Sequence, residues 1–215
     1  MPELKRNIFI SAAILGIFGI LGATLVSLTW TATAERIALN QKQAFLNNVF
    51  KLIDKEEIDN DLLTDVITLH APSLAKTEFK AYRARKAGKP VAVIFSPVQA
   101  PGYASPINLM VGIRHDGTLG GVRVLSHMET PGLGDKIDAE RSDWILSFTG
   151  KSLGNPPLEQ WKVKKDGGVF DQFTGATITP RSVVATVRKA LEYYAREKEN
   201  LFKAPAQKLD EVPMH

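Results

Sequence analysis

The sequence predicts an α+β domain with a largely antiparallel sheet and flanking helices, preceded by one N-terminal transmembrane helix. Three observations carry this prediction. Residues 8–30 contain no charged side chain. Asp116-Gly117 stands between two runs rich in aliphatic and β-branched residues, which is the pattern of a β-hairpin. After Pro180, apolar residues recur with the period of a helix.

The charge-free segment is long enough to cross a membrane. As a helix, residues 8–30 would extend about 35 Å, against about 30 Å for the hydrocarbon core of a bilayer. Lys5 and Arg6 precede it, so the positive-inside rule places the N-terminus in the cytoplasm and the rest in the periplasm of a Gram-negative cell. A cleaved signal peptide is the alternative, because Ala32-Thr33-Ala34 fits a cleavage site, although the apolar run exceeds a usual signal sequence.

These features divide the chain of 215 residues into three parts. Residues 1–34 are predicted to form the cytoplasmic N-terminus and the transmembrane helix, and residues 35–202 a single periplasmic domain. Residues 203–215 are polar and contain proline, which predicts a mobile tail.

Within the domain, hydrophobic periodicity predicts each element. Helices are expected over residues 35–55, over residues 137–148 and from Pro180 to about Phe202, with Thr179 as the N-cap of the last. Strands are expected over residues 89–95, 107–114, 119–126 and 161–164. Residues 76–85 are expected to form a strand or a short irregular extension, and residues 66–69 are an ambiguous short strand. The proline-rich residues 96–106 are expected to form a loop.

Several classes of chemistry find no support in the sequence. There is no cysteine for disulfides or thiol catalysis, and the four histidines lack metal-ligand spacing. The net charge of +4 is not concentrated in a basic patch beside aromatic residues, so no nucleic-acid binding is expected. No glycine-rich nucleotide-binding motif is present either. Redox chemistry would therefore have to come from a bound cofactor.

The stretch from Asp171 to Pro180 is a candidate phosphate site. Thr174 and Thr177 flank Gly175 and Ala176, and the helix that follows presents its N-terminus there. Unpaired N–H groups and the helix dipole favour an anion by roughly 0.3–1 kcal/mol at such an exposed position. On these residues alone, the pattern is more typical of an ordinary loop that leads into a capped helix.

Two motifs resemble those of a known family. Asp171-x-x-Thr174-Gly175-Ala176-Thr177 resembles the D-x-x-[S/T]-G-A-T signature of domains that carry covalently bound FMN. Glu129-Thr130-Pro131-Gly132-Leu133-Gly134 is a second motif of that family, and His127 precedes it. With the membrane anchor upstream, the chain resembles the G subunits of the Rnf/Rsx electron transport complexes. The related C subunit of the sodium-pumping NADH:quinone reductase is the alternative.

The resemblance implies a function and a set of site residues. A flavin transferase would join FMN through its phosphate to Thr177, while Thr174, Gly175 and Ala176 hold the phosphate. Glu129, Thr130, Leu133 and Gly134 would close over the flavin ring, with Glu129 or Thr130 hydrogen-bonded to its edge. A buried structural hydrogen bond is an equal alternative for Glu129. Tyr103 is an aromatic residue that the family tends to place nearby. A structural role is expected for His127.

The implied protein is an electron carrier without an independent catalytic site. It would lie in the bacterial inner membrane beside the other membrane subunits of an ion-translocating complex. A membrane-tethered flavin sensor and a scaffold with an empty site are the alternatives from other functional classes.

Overall fold

The computed structural model describes residues 2–207 and comprises two compact units. Most of the first helix, α1, forms one unit, and the chain from Asn47 onward forms the other. The predicted fold class is confirmed, because a five-stranded antiparallel sheet with helices follows the N-terminal helix.

Helix α1 (Pro2–Phe50) contains the charge-free segment of residues 8–30. It is long and apolar enough to cross a membrane, and none of its most apolar window is buried within the protein. The helix continues through residue 34, where the sequence predicted the boundary between the transmembrane segment and the periplasmic domain. The hydroxyls of Thr31 and Thr33 donate to carbonyls one turn earlier, at 2.9 and 2.7 Å, so these threonines do not interrupt the helix.

The sheet is a meander in which every strand pairs with its neighbours in sequence. Its strands are β1 (Val66–Leu69), β2 (Phe79–Lys86), β3 (Lys89–Ala100), β4 (Ile107–Arg114) and β5 (Leu119–Ser126). The predicted hairpin is confirmed: β4 and β5 pair, and the turn closes with Arg114 N donating to Thr118 O at 2.8 Å. Gly117 adopts a φ of +91° in this turn, which only glycine accepts without strain.

The predicted loop over residues 96–106 begins too early, because β3 extends to Ala100. Pro97 breaks the local pattern of a strand, but it falls where the ladder with β4 is irregular. Phe95 pairs with Val111 and Val98 pairs with Leu109, so the residues between them form a bulge. A proline without an N–H is accommodated there.

The connection from β5 to the last helix is irregular. The helix predicted over residues 137–148 is wrong, because two 3₁₀ segments, Gly134–Ile137 and Asp143–Phe148, stand in its place. Ser142 separates them: its hydroxyl donates to Lys136 O at 2.6 Å and accepts from Trp144 N. The strand predicted over residues 161–164 is also wrong, since only one isolated bridge, between Val163 and Phe170, forms there.

Helix α2 (Ile178–Lys203) packs its apolar face against β3 and β4. The buried side chains of that face include Val183, Val184, Val187, Ala190, Leu191 and Tyr194. The N-cap is Thr177 rather than the predicted Thr179, which lies inside the first turn. Pro180 is tolerated there because the first N–H groups of a helix have no intrahelical partner.

A buried arginine holds the other end of α2. Arg83 of β2 is 2% exposed and donates to Leu201 O at 3.1 Å and to Ala204 O. Asp65 accepts from Arg83 Nε at 2.6 Å and from Arg85 Nε at 2.7 Å. A cation at a helix C-terminus has the sign that the helix dipole favours.

The predicted tail begins beside β1. Lys203 closes α2, and Gln207 N then donates to Val66 O at 2.9 Å while its side chain accepts from Thr68 N at 3.0 Å. Residues 208–215 of the predicted tail lie outside the described residues.

We predict that Arg83→Met destabilises the domain by about 1–3 kcal/mol, because the carbonyls of Leu201 and Ala204 lose their buried donor and Asp65 keeps only Arg85 as a partner. Urea unfolding of the full chain in detergent, followed by circular dichroism, measures the change. Arg85→Met is the matched control, and a smaller loss is expected because Arg85 is partly exposed. Equal losses for the two variants would contradict this assignment.

Candidate cofactor-binding site

A cavity of about 310 Å³ opens at the N-terminus of α2. Three segments wall it: the loop after β3, the loop after β5 and the start of α2. Its lining residues are Tyr103, Glu129, Thr130, Leu133, Gly134, Gly175, Ala176, Thr177, Ile178 and Thr179. The two motifs that the sequence singled out thus meet at one pocket.

Among the predicted site residues, only Thr174 does not line this pocket. Thr174 is exposed beside it. The pocket also takes in Ile178, which the sequence did not single out, and Thr179, which it favoured as an N-cap. Both residues directly follow Thr177 in the sequence, and this proximity is the feature that could have identified them as pocket residues.

Thr177 differs from the other threonines of this loop. It stands at the N-cap position of α2, yet its side chain makes no capping hydrogen bond. The residue is exposed at the pocket, so its hydroxyl is available to a reagent. Thr179, two residues later, is 1% exposed and its hydroxyl donates to the Glu129 carboxylate.

Leu133 joins the two motifs. A Cβ at Gly175 would lie 3.0 Å from Leu133 Cδ2, so the motif loop packs directly against this side chain. Gly175 also has a φ of +85°, in the left-handed region that favours glycine. Leu133 remains 40% exposed and offers an apolar surface on the pocket wall.

The Glu129 carboxylate is buried, with 6% of the residue exposed. One oxygen, Oε1, accepts from Tyr103 N at 2.8 Å, and the other accepts from the Thr179 hydroxyl. Two glycines make room for it: a Cβ at Gly102 would lie 2.7 Å from Oε1, and one at Gly134 would lie 2.9 Å from Oε2. Glu129 therefore connects all three walls of the pocket.

His127 supports the loop from outside the pocket. Its Nδ1 accepts from Glu129 N at 3.0 Å, so the neutral ring carries its proton on Nε2, which lies 2.8 Å from Asp138 Oδ2. Both ring nitrogens are thereby engaged. This arrangement agrees with the structural role that the sequence favoured for His127.

Trp144 holds the start of the motif that runs from Asp171 to Thr177. The Trp144 indole donates to Asp171 O at 2.8 Å, and its ring lies 5.1 Å from that of Phe173, which is buried. The Asp171 carboxylate pairs with Lys164 at 2.5 Å on the surface. The described residues contain no cluster of three or more histidine, aspartate or glutamate side chains that could hold a metal ion.

Comparison with known proteins finds two matching families. A family of FMN-binding domains matches residues 102–192, which include every residue of the pocket. The family described as RnfG N-terminal region matches residues 1–50.

Curated relatives match along almost the whole chain, and they are named as G subunits of the ion-translocating oxidoreductase complex. The protein of that name in Pseudoalteromonas atlantica is 42% identical over 94% of both chains. The Pseudomonas aeruginosa protein is 43% identical over 92% of this chain and 93% of its own. The Vibrio cholerae protein is 43% identical over 95% of this chain and 97% of its own.

We predict that Gly102→Ala destabilises the domain by about 1–3 kcal/mol, the usual range for overpacking. The new methyl group would lie 2.1 Å from the Ser105 carbonyl, a backbone atom, and 2.7 Å from Glu129 Oε1. Gly154→Ala is the control, because nothing lies within 4 Å of a Cβ there. Melting temperatures of both variants in detergent test this, and equal melting temperatures would count against the close packing at Gly102.

Proposed function

Because the chain belongs to the family of G subunits of ion-translocating oxidoreductase complexes, as its motifs predicted, we propose that it holds FMN as a phosphate ester of Thr177. Membership makes it an FMN-carrying electron transport subunit of such a complex. The observation that carries the ester proposal is the Thr177 hydroxyl, which is exposed at the pocket and makes no capping bond.

Two neighbouring threonines are less suited to the attachment. Thr179 is buried and its hydroxyl is committed to Glu129. Thr174 is exposed but does not line the pocket. Thr177 alone of the three combines an available hydroxyl with a place on the pocket wall.

The start of α2 suits the phosphate group. Free N–H groups and the positive end of the dipole stabilise an anion there, by roughly 0.3–1 kcal/mol at an exposed site. A micromolar dissociation constant needs about 8 kcal/mol, so this attraction alone retains no cofactor. An ester bond removes that requirement, since retention no longer depends on an equilibrium.

The remainder of the pocket suits the flavin ring. Leu133, Ile178 and Tyr103 are 40%, 53% and 78% exposed and all line it. Apolar and aromatic side chains with such exposure are the surface that a planar ring would cover. Glu129, Thr130 and Gly134 complete the wall.

Ester formation requires an activated donor. In the proposed step, Thr177 Oγ1 attacks the FMN phosphorus of a flavin dinucleotide such as FAD. The phosphoanhydride bond breaks, the nucleoside monophosphate leaves, and a base of the flavin transferase takes the hydroxyl proton. The chain gains the mass of FMN less one water.

Once bound, FMN supplies the redox chemistry of this subunit. The chain's residues hold and orient the ring and shield part of it from water. In our proposal, other membrane subunits of the complex donate and accept the electrons. The name of the relatives favours this assignment over the C subunit of the sodium-pumping NADH:quinone reductase and over a flavin sensor.

We further propose an orientation in the bacterial inner membrane. The chain is a membrane-anchored protein, because its N-terminal helix is long and apolar and its family works in a membrane complex. Lys5 and Arg6 precede the apolar segment, which favours a cytoplasmic N-terminus. The FMN domain and the flavin transferase would then meet in the periplasm.

We expect Thr177→Ala to abolish FMN attachment when the full chain is coexpressed with a flavin transferase. Intact-mass analysis should show the added FMN less one water on the wild type and none on the variant. Thr177→Ser and Thr174→Ala are the controls, and both should keep the label. A labelled Thr177→Ala together with an unlabelled Thr174→Ala would identify Thr174 as the attachment site.

The orientation can be tested with single cysteines, because the natural chain has none. Glu3→Cys and Glu159→Cys both introduce an exposed thiol, one before the apolar segment and one in the FMN domain. A maleimide that does not cross the inner membrane should label Glu159→Cys in intact cells and Glu3→Cys only after lysis. The opposite pattern would reverse the proposed topology.

A further inference from the structure

We infer that Glu129 is a positioning residue for FMN attachment, acting through Thr179 and Tyr103 on the two sides of the pocket. The inference rests on the proposed ester at Thr177. Glu129 is a wall residue with only 6% exposure, so most of its carboxylate faces protein atoms. Its two oxygens accept from two different segments.

The first segment is the opening turn of α2. Thr177 makes no capping hydrogen bond of its own, so its place depends on the backbone around it. Thr179 follows two residues later, and its hydroxyl donates to Glu129 Oε2. This bond ties the opening turn to the loop after β5 and thereby sets where the Thr177 hydroxyl lies.

The second segment is the loop after β3. Tyr103 is 78% exposed, so its ring has little protein packing to hold it. Its backbone N–H, however, donates to Glu129 Oε1 at 2.8 Å. The close approach of Gly102 to the same oxygen leaves this loop little freedom to move inward. The aromatic rim of the pocket is thus held by its backbone.

The third contact fixes Glu129 itself. Its backbone N–H donates to His127 Nδ1, whose ring is in turn held by Asp138. Gly134, at the far end of the same motif, lies against the Glu129 side chain. The carboxylate is therefore held in place, and its hydrogen bonds fix the opening turn of α2 and the Tyr103 loop relative to each other.

Substitutions at this position can distinguish a positional role of Glu129 from an effect of its charge. In Glu129→Gln, the amide oxygen can accept from Tyr103 N while the amide nitrogen donates to the Thr179 hydroxyl. Both contacts survive and the charge is lost. Glu129→Ala removes both contacts, and Thr179→Val removes one while keeping the side-chain shape.

The test follows FMN labelling of the full chain over time with a flavin transferase and FAD, read by intact mass. We expect about tenfold slower labelling for Glu129→Ala, a smaller decrease for Thr179→Val and a rate within about twofold of wild type for Glu129→Gln. Peptide mapping confirms the labelled residue, and the melting temperature of each variant reports its folding.

Four outcomes would overturn the inference. Labelling of Glu129→Ala at the wild-type rate, with the wild type labelled on Thr177, contradicts it and leaves the proposed function intact. A Glu129→Gln rate as low as that of Glu129→Ala would mean that the charge acts, not the position. If Glu129→Ala fails to fold, Thr179→Val decides, and a wild-type rate there rejects the inference. An unlabelled wild type rejects the ester and the inference together.

Discussion

Helix α2 is held at each end by a buried charge of the sign that its dipole favours. At the N-terminus the Glu129 carboxylate accepts from Thr179, and at the C-terminus the Arg83 guanidinium donates to the last carbonyls. Between them, the apolar face of the helix packs on β3 and β4. Because these contacts fix the helix along its length, the position of Thr177 relative to the sheet is fixed too.

The candidate cofactor site is built from segments with little regular structure that rest on this frame. The loop after β3 and the loop after β5 come from neighbouring parts of a meander, and α2 brings the third wall to them. Loops on a rigid scaffold commonly carry function, because their backbones can approach a ligand closely. Here two glycines, Gly102 and Gly134, permit the approach of both loops to one buried carboxylate. In our proposal, the covalent bond provides retention and the loops provide orientation.

Local patterns in the sequence predicted the elements whose stability is local. The hairpin at Asp116-Gly117 and the long helix after Pro180 follow from turn chemistry and periodicity, and both form. The helix expected over residues 137–148 does not form, because the Ser142 hydroxyl competes with the helical pattern on both sides. Trp144, Ile145 and Phe148 are nevertheless buried, so the predicted apolar side was right although the element was not.

The candidate site shows the same difference between what local patterns predict and what they do not. The motifs identify the segments that line the pocket, yet the sequence predicts an N-cap at Thr179, because threonine is a preferred N-cap and proline a preferred first residue of a helix. Its actual partner, Glu129, lies far away in the sequence, and no local rule connects the two. Tyr103 N is a backbone donor and leaves no trace in side-chain patterns.

The open mouth of the pocket has a consequence for electron exchange. Tyr103 and Ile178 at the rim are more than half exposed, so the described residues leave the proposed ring site uncovered on that side. Tunnelling slows steeply with the gap between redox centres, and an uncovered edge lets another centre come close. The same openness would let a weakly held flavin escape into the surrounding fluid. In our proposal, a tether that survives dilution allows a shallow, accessible site to keep its cofactor for the life of the polypeptide.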